Sequence, residues 1–169
     1  MPGNYNIKSL ISTVVNNVKQ LRYSLISDKE SVYKLLLKIR DMEIENIKFQ
    51  KHQYEQFDIY EKIDFNELER FKESYEYFME QYFIVDDCVN SIMQQESSFS
   101  DILIRNIFSI YRDTSSVSNS NERLDKVVET IKNNLGYRLD NDSLSYVDSI
   151  VFYVFAKCKI FKKLTHEKG

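Results

Sequence analysis

Apolar residues recur at intervals of three and four along almost the whole chain, the spacing that gathers side chains on one face of an α-helix. Ile7, Leu10, Ile11, Val14, Val18, Leu21 and Leu25 form the first such stripe and predict a helix from about Asn6 to Ile26. Ser27 and Glu30 follow with the spacing of a capping box, which predicts a tight turn and a second helix starting there. That helix opens with Val32, Leu35, Leu36, Ile39 and Met42 on one stripe, but polar Asn46 and Gln53 take its next positions. Ile44, Ile47, Phe49, Tyr54, Phe57 and Tyr60 continue on other faces, so the segment, expected to end near Ile63, either bends or is apolar on two sides.

Asp64 and Glu67 repeat the capping spacing ahead of Leu68, Phe71, Tyr75, Phe78, Tyr82, Val85, Val89 and Ile92, an alternation that predicts one long third helix. A seam of that length packs at shallow angles, which predicts a long antiparallel hairpin of helices 2 and 3. Ser98 and Asp101 open a fourth helix, dense in Ile102, Leu103, Ile107, Phe108, Ile110 and Tyr111 and ending near Arg112. Residues 114–121 are rich in Ser and Asn, the composition of a mobile loop. A fifth helix is expected from about Glu122 to Leu135, closed by Gly136. Asp142 is expected to cap a sixth, where Leu144, Val147, Val151, Val154, Cys158 and Phe161 form one stripe and Ile150, Phe152, Tyr153 and Phe155 fill the other faces. An apolar surface on nearly all sides predicts that this C-terminal helix lies at the centre of the bundle.

Composition supports the helical reading and narrows it. Gly136 is the only glycine or proline between Gly3 and Gly169, and no Asn-Gly or Asp-Gly hairpin signal occurs. No linker or internal repeat divides the 169 residues, so residues 1–169 are expected to form a single-domain, all-α bundle of about six helices. Abundant Ile, Lys, Asn, Tyr and Phe beside one alanine, Ala156, suggest an AT-rich coding sequence of bacterial, phage or viral origin. Two cysteines, Cys88 and Cys158, are too few and too far apart for a disulfide framework or a zinc site. No secretory signal is visible at the N-terminus, and the longest apolar run, Ile150 to Ala156, is too short to span a bilayer, which together predict a cytoplasmic protein.

Candidate chemistry is thin. Neither His52 nor His166 belongs to a Glu-x-x-His or His-Glu-x-x-His motif, and neither has the short upstream arginine used by small helical RNases. Glu73 with Glu76 and Glu122 with Asp125 match the paired carboxylates with which all-α nucleotide pyrophosphohydrolases hold magnesium, but such pairs also arise on solvated helix faces of a chain with 26 acidic residues. No phosphate-binding loop or nucleophile elbow is present, and no cofactor is expected. A net charge of −3 provides no global attraction for nucleic acid, although Lys157, Lys159, Lys162 and Lys163 form a local basic run that suits either nucleic acid or a helix C-terminus. Apolar residues off the main seams, Ile44, Ile47, Tyr54, Tyr77 and Ile84, are the expected contacts for a protein partner or for self-association. The expectation is therefore a non-enzymatic helical interaction module: a regulator, an inhibitor or an assembly subunit. A nucleic-acid-associated subunit and a magnesium-dependent pyrophosphohydrolase are its alternatives.

Overall fold

Among the described residues three-four spacing becomes helix over most of the expected spans, but several boundaries move. The computed structural model describes residues 7–42, 58–136, 139–157 and 160–161. Among these residues there are seven helices and no strand: α1 (Ile7–Arg40), α2 (Ile59–Phe65), α3 (Glu69–Glu73), α4 (Tyr75–Met93), α5 (Phe99–Asp113), α6 (Ser120–Leu135) and α7 (Asn141–Ala156).

The first correction is at Ser27, which starts no helix: α1 runs through it without interruption for 34 residues, about 51 Å at 1.5 Å per residue. A cap requires the chain to leave helical dihedrals, and with no glycine or proline between Leu25 and Val32 nothing forces it to do so. Glu30 accepts instead from Lys34 Nζ, one turn further on, at 2.7 Å. The expected bend of the second helix lies outside the described residues, and its expected end near Ile63 falls inside α2, which runs on to Phe65.

The long third helix is also divided. Asp58 caps α2, accepting from the Glu61 amide at 3.1 Å, while Asp64 lies inside that helix and accepts from Lys72 Nζ at 2.6 Å. Glu67 then takes the left-handed conformation, φ 54°, at a cost of roughly 1–2 kcal/mol for a residue with a Cβ. A second break falls at Ser74 (φ −118°, ψ 30°), between α3 and α4. Both sides of that break keep the same face inward, so the apolar alternation passes through it and does not reveal it. Phe71 before the break and Phe78 after it meet at 4.9 Å between ring centroids.

Nor does the second half of α1 run antiparallel to α4, as the expected hairpin requires. Lys29 bonds Asp87 at 2.9 Å and Arg40 bonds Glu96 at 2.8 Å, so the second half of α1 advances alongside α4 in the same direction. α7 packs on both and on α6, and α5 closes against α1, α4 and α6.

One buried cluster draws on all seven helices, with Val32, Leu35, Leu36 and Ile39 from α1, Val85 and Val89 from α4, and Ile150 to Phe155 from α7. At its centre Phe152 stacks on Phe78 at 5.2 Å and meets Phe71 edge-on at 4.9 Å, geometries that suit the quadrupoles of aromatic rings. The C-terminal helix is accordingly buried on all sides from Ser149 to Phe155, with Asn141, Asp142 and Ser145 of its first turns exposed, and Asp140, not Asp142, caps it. Asp140 has the extended backbone that an N-cap needs and accepts from the Ser143 amide at 2.7 Å. α7 ends at Ala156, short of the expected stripe, and Phe161 reaches Tyr111 at 4.9 Å from non-helical chain.

Lysine in the core has a specific purpose here. Lys62 is 1% exposed, and its Nζ donates to the carbonyls of Phe155 at 2.6 Å and Ile160 at 3.1 Å. It thus satisfies carbonyls at the C-terminal end of α7, where the helix dipole favours a cation. The segment expected as a mobile loop is tied to its flanks as well. Thr114 is buried and donates to the Tyr111 carbonyl at 2.7 Å, and Arg123 lies 3.6 Å over the Tyr111 ring while donating to that same carbonyl at 2.9 Å. Asn119 caps α6 by accepting from the Asn121 and Glu122 amides, and Gly136 closes it at φ 70°.

Candidate protein-interaction surface

The chemistry most in need of explanation lies on the first half of α1. The stripe of Ile7, Ile11, Val14, Val18, Leu21 and Leu25 continues in the same register through Asp28 to Val32, Leu35 and Ile39. Its two halves have opposite environments. Val32, Leu35 and Ile39 are fully buried, whereas Ile7 is 72% exposed, Leu21 64% and Val18 46%. Leu10, Val15 and Ile26 widen the exposed stripe to roughly 160° of the helix circumference at 3.6 residues per turn. This contiguous face of several hundred Å² is at or above the largest patch that monomeric proteins ordinarily leave open.

Asp28 marks the boundary. It occupies a seam position and accepts a hydrogen bond from the Tyr146 hydroxyl of α7. Burial, followed by that bond and the charge of Asp28, holds the Tyr146 phenol well above its ordinary range. α7 therefore caps the covered half of the seam, and beyond it α1 projects as an arm.

The arm's charge also differs from that of the rest of the molecule. Lys8, Lys19 and Arg22 are its only charged groups, so with three of the 23 basic residues and none of the 26 acidic ones before Asp28, this part is +3 and the remainder −6. Thr13 donates to the Ser9 carbonyl at 3.0 Å, and the polar face otherwise carries Ser, Asn and Gln. Ile7, Ile11, Thr13, Val14, Val15, Val18 and Ile26 are β-branched and no alanine is present. A helix of about 20 such residues is marginal in water unless its apolar face is covered.

Of the residues singled out from the sequence as partner contacts, Ile44, Ile47 and Tyr54 lie outside the described residues. Tyr77 is 47% exposed on α4 and Ile84 packs partly against the core. Phe83, also on α4 and 62% exposed, was missed, and so was the whole arm. The arm's periodicity was visible, but periodicity is the same whether a seam is covered by its own chain or by none.

The basic run is represented among the described residues by Lys157, with Lys159, Lys162 and Lys163 outside them. Lys157 lies 3.3 Å from Asp86, which also accepts from the Tyr153 hydroxyl at 3.0 Å. Burial alone would lower its pKa, but hydrogen bonding and charge from Tyr82 and Asp86 outweigh that effect and raise it.

The first of the two carboxylate pairs is split between helices. Glu73 ends α3 and Glu76 lies in the first turn of α4, on the far side of the Ser74 break, so they do not share a helix. Glu122 lies in the first turn of α6, and Asp125 pairs with Arg70 at 3.0 Å. Among the described residues no group of three or more His, Cys, Asp or Glu is placed to hold a metal ion.

A cleft of about 250 Å³ between α1 and α4 is lined by Lys29, Glu30, Tyr33, Asp87, Cys88 and Ser91. Its thiol is a poor nucleophile: burial pushes the Cys88 pKa up, and Sγ donates to the Lys29 carbonyl at 3.5 Å. Among the described residues no helix is long and apolar enough to cross a membrane. Compared with protein-family models, with curated proteins and with solved structures, the chain gives no significant match.

Proposed function

We propose that this chain is a helical protein–protein interaction module in which the body, from Asp28 onward, presents the first half of α1 as a docking element. The observation that carries the reading is the single seam of α1, fully buried at Val32, Leu35 and Ile39 and 44–72% exposed at the large apolar residues from Ile7 to Ile26. Helix-in-groove and helix-on-helix recognition both read anchors at this three-four spacing. Regulators, inhibitors and assembly subunits all use such an element, and the body serves as its rigid base.

A photo-crosslinking residue placed at Val18 is expected to give adducts with protein in the native cell, and the same group at Asn16, on the polar face, is not. Equal labelling from both positions, or no protein adduct from Val18, would remove the arm as a docking element.

A further inference from the structure

The occupant of the exposed seam is inferred from its length, its neighbours and its charges. The arm's apolar anchors alternate by four and three from Ile7 to Leu25, the heptad spacing with which helices pack as knobs into holes. A partner helix that covers the whole stripe has to be equally long and apolar and to end where the body begins, because beyond Asp28 the same seam is already covered by α4 and α7. A second arm has that length by construction.

Direction follows from the same constraint. A parallel, in-register pair would bring the second copy's residues 28–40 abreast of a seam already filled, and would set two bodies of charge −6 side by side. An antiparallel pair places Ile7 against Leu25 of the second copy, Ile11 against Leu21, and Val14 against Val18, with the two bodies at opposite ends. Each positively charged arm then points its N-terminal end, with Lys8, toward Asp28 at the base of the other. The arrangement places Lys8 on the same flank as Arg22 of the second copy, a like-charge contact between exposed groups that water and salt screen. The surface covered, several hundred Å² from each copy, is on the scale of the ~800 Å² per partner of a standard stable interface, and the two-fold operation closes it without a free end.

Resting on the interaction reading above, we propose that the partner is a second copy of this chain, the two α1 arms pairing antiparallel into a two-fold dimer with the bodies at its ends.

The test uses the full-length chain. Light scattering after size-exclusion chromatography, over a range of concentrations and at low and high salt, is expected to give twice the 20.2 kDa chain mass. Val18→Asp, at an exposed part of the single chain's helix, is expected to weaken pairing on the order of 100-fold by burying two carboxylates in the seam, with the body's thermal midpoint unchanged. Direction is read in a Cys158→Ala background, Cys88 being buried. Ile11→Cys and Leu21→Cys chains are expected to form a mixed disulfide when combined and none when oxidised separately, since like positions would lie about 15 Å apart along the helix, beyond disulfide reach.

A dimer that cross-links through Ile11→Cys alone overturns the antiparallel pairing. A monomer at all concentrations overturns self-pairing. If Val18 then still labels a different protein in the cell, the docking reading survives without it. A monomer that labels no protein but sediments with vesicles of phosphatidylcholine and phosphatidylserine overturns both in favour of a lipid surface.

Discussion

At the residue scale, the side chain that departs furthest from hydrophobic patterning is Lys62. A buried lysine ordinarily costs several kcal/mol unless its donors are satisfied, and here Nζ donates to two main-chain carbonyls and lies 4.2 Å from the Phe155 ring centre. Lys62→Met keeps the length and apolar stem and removes the donors, leaving those carbonyls without a charged partner at a helix end. The expected loss is about 2–4 kcal/mol, read as a lower urea midpoint at unchanged slope. The side chain's stem belongs to the apolar pattern of α2 while its tip serves α7, 93 residues further along the chain. A one-dimensional reading of lysine as a surface residue has no access to that second role, which explains why Lys62 was not legible as core. Aromatic residues such as Phe71, Phe78 and Phe152 were, because burial is the only use the pattern leaves for them.

At the scale of elements, the end of α6 at Gly136 was legible because local chemistry decides it, its start was expected two residues late with Asn119 left in the loop, and the ends that packing decides were illegible. Both ends of α6 are local: Asn119 accepts from two free amides, and Gly136 adopts φ 70°, ψ 179°, a combination essentially reserved for glycine. A Cβ at Gly136 would meet no atom within 4 Å, so the penalty for Gly136→Ala is a backbone one, about 1–3 kcal/mol. Asn119→Ala is expected to cost about 1 kcal/mol. The two sites are separated by a whole helix and share no partner, so the double variant should lose the sum to within about 0.5 kcal/mol. Chemical denaturation of the three variants checks this, and a strongly sub-additive result would mean that α6 frays as a unit. The break at Ser74 and the passage of α1 through Ser27 follow from no such local rule. Asp64 with Glu67 and Ser27 with Glu30 have the same capping spacing, yet neither pair begins a helix, because in each case the backbone at the would-be cap stays helical.

For the whole molecule, the division between arm and body is a division of burial. Every described residue from Ile7 to Ser27 whose side chain is described is exposed, and the buried cluster begins at Val32. The sequence showed that the two stretches of α1 were amphipathic. It did not show that one stripe meets α4 and α7 and the other stays exposed, since that depends on where residues 75–93 and 141–156 end in space. The misread capping pair has a consequence at this scale. If a chain is cut so that a single methionine precedes Ser27, α1 then does begin there, Ser27 becomes free to accept from the Glu30 amide, and Glu30 becomes free to reach back. The body so obtained keeps every buried side chain of the cluster and the Tyr146–Asp28 bond. Its thermal midpoint is expected within a few degrees of the body transition of the full chain, and Ser27→Ala in the shortened chain should cost about 1 kcal/mol, although in the full-length chain, where Ser27 is mid-helix, it should be nearly neutral. Calorimetry on the four proteins decides it. A shortened body that melts far below the full chain would mean that the arm stabilises the core through contacts the single chain does not contain, and an equal effect of Ser27→Ala in both backgrounds would mean that Ser27 already caps a helix in the full-length protein.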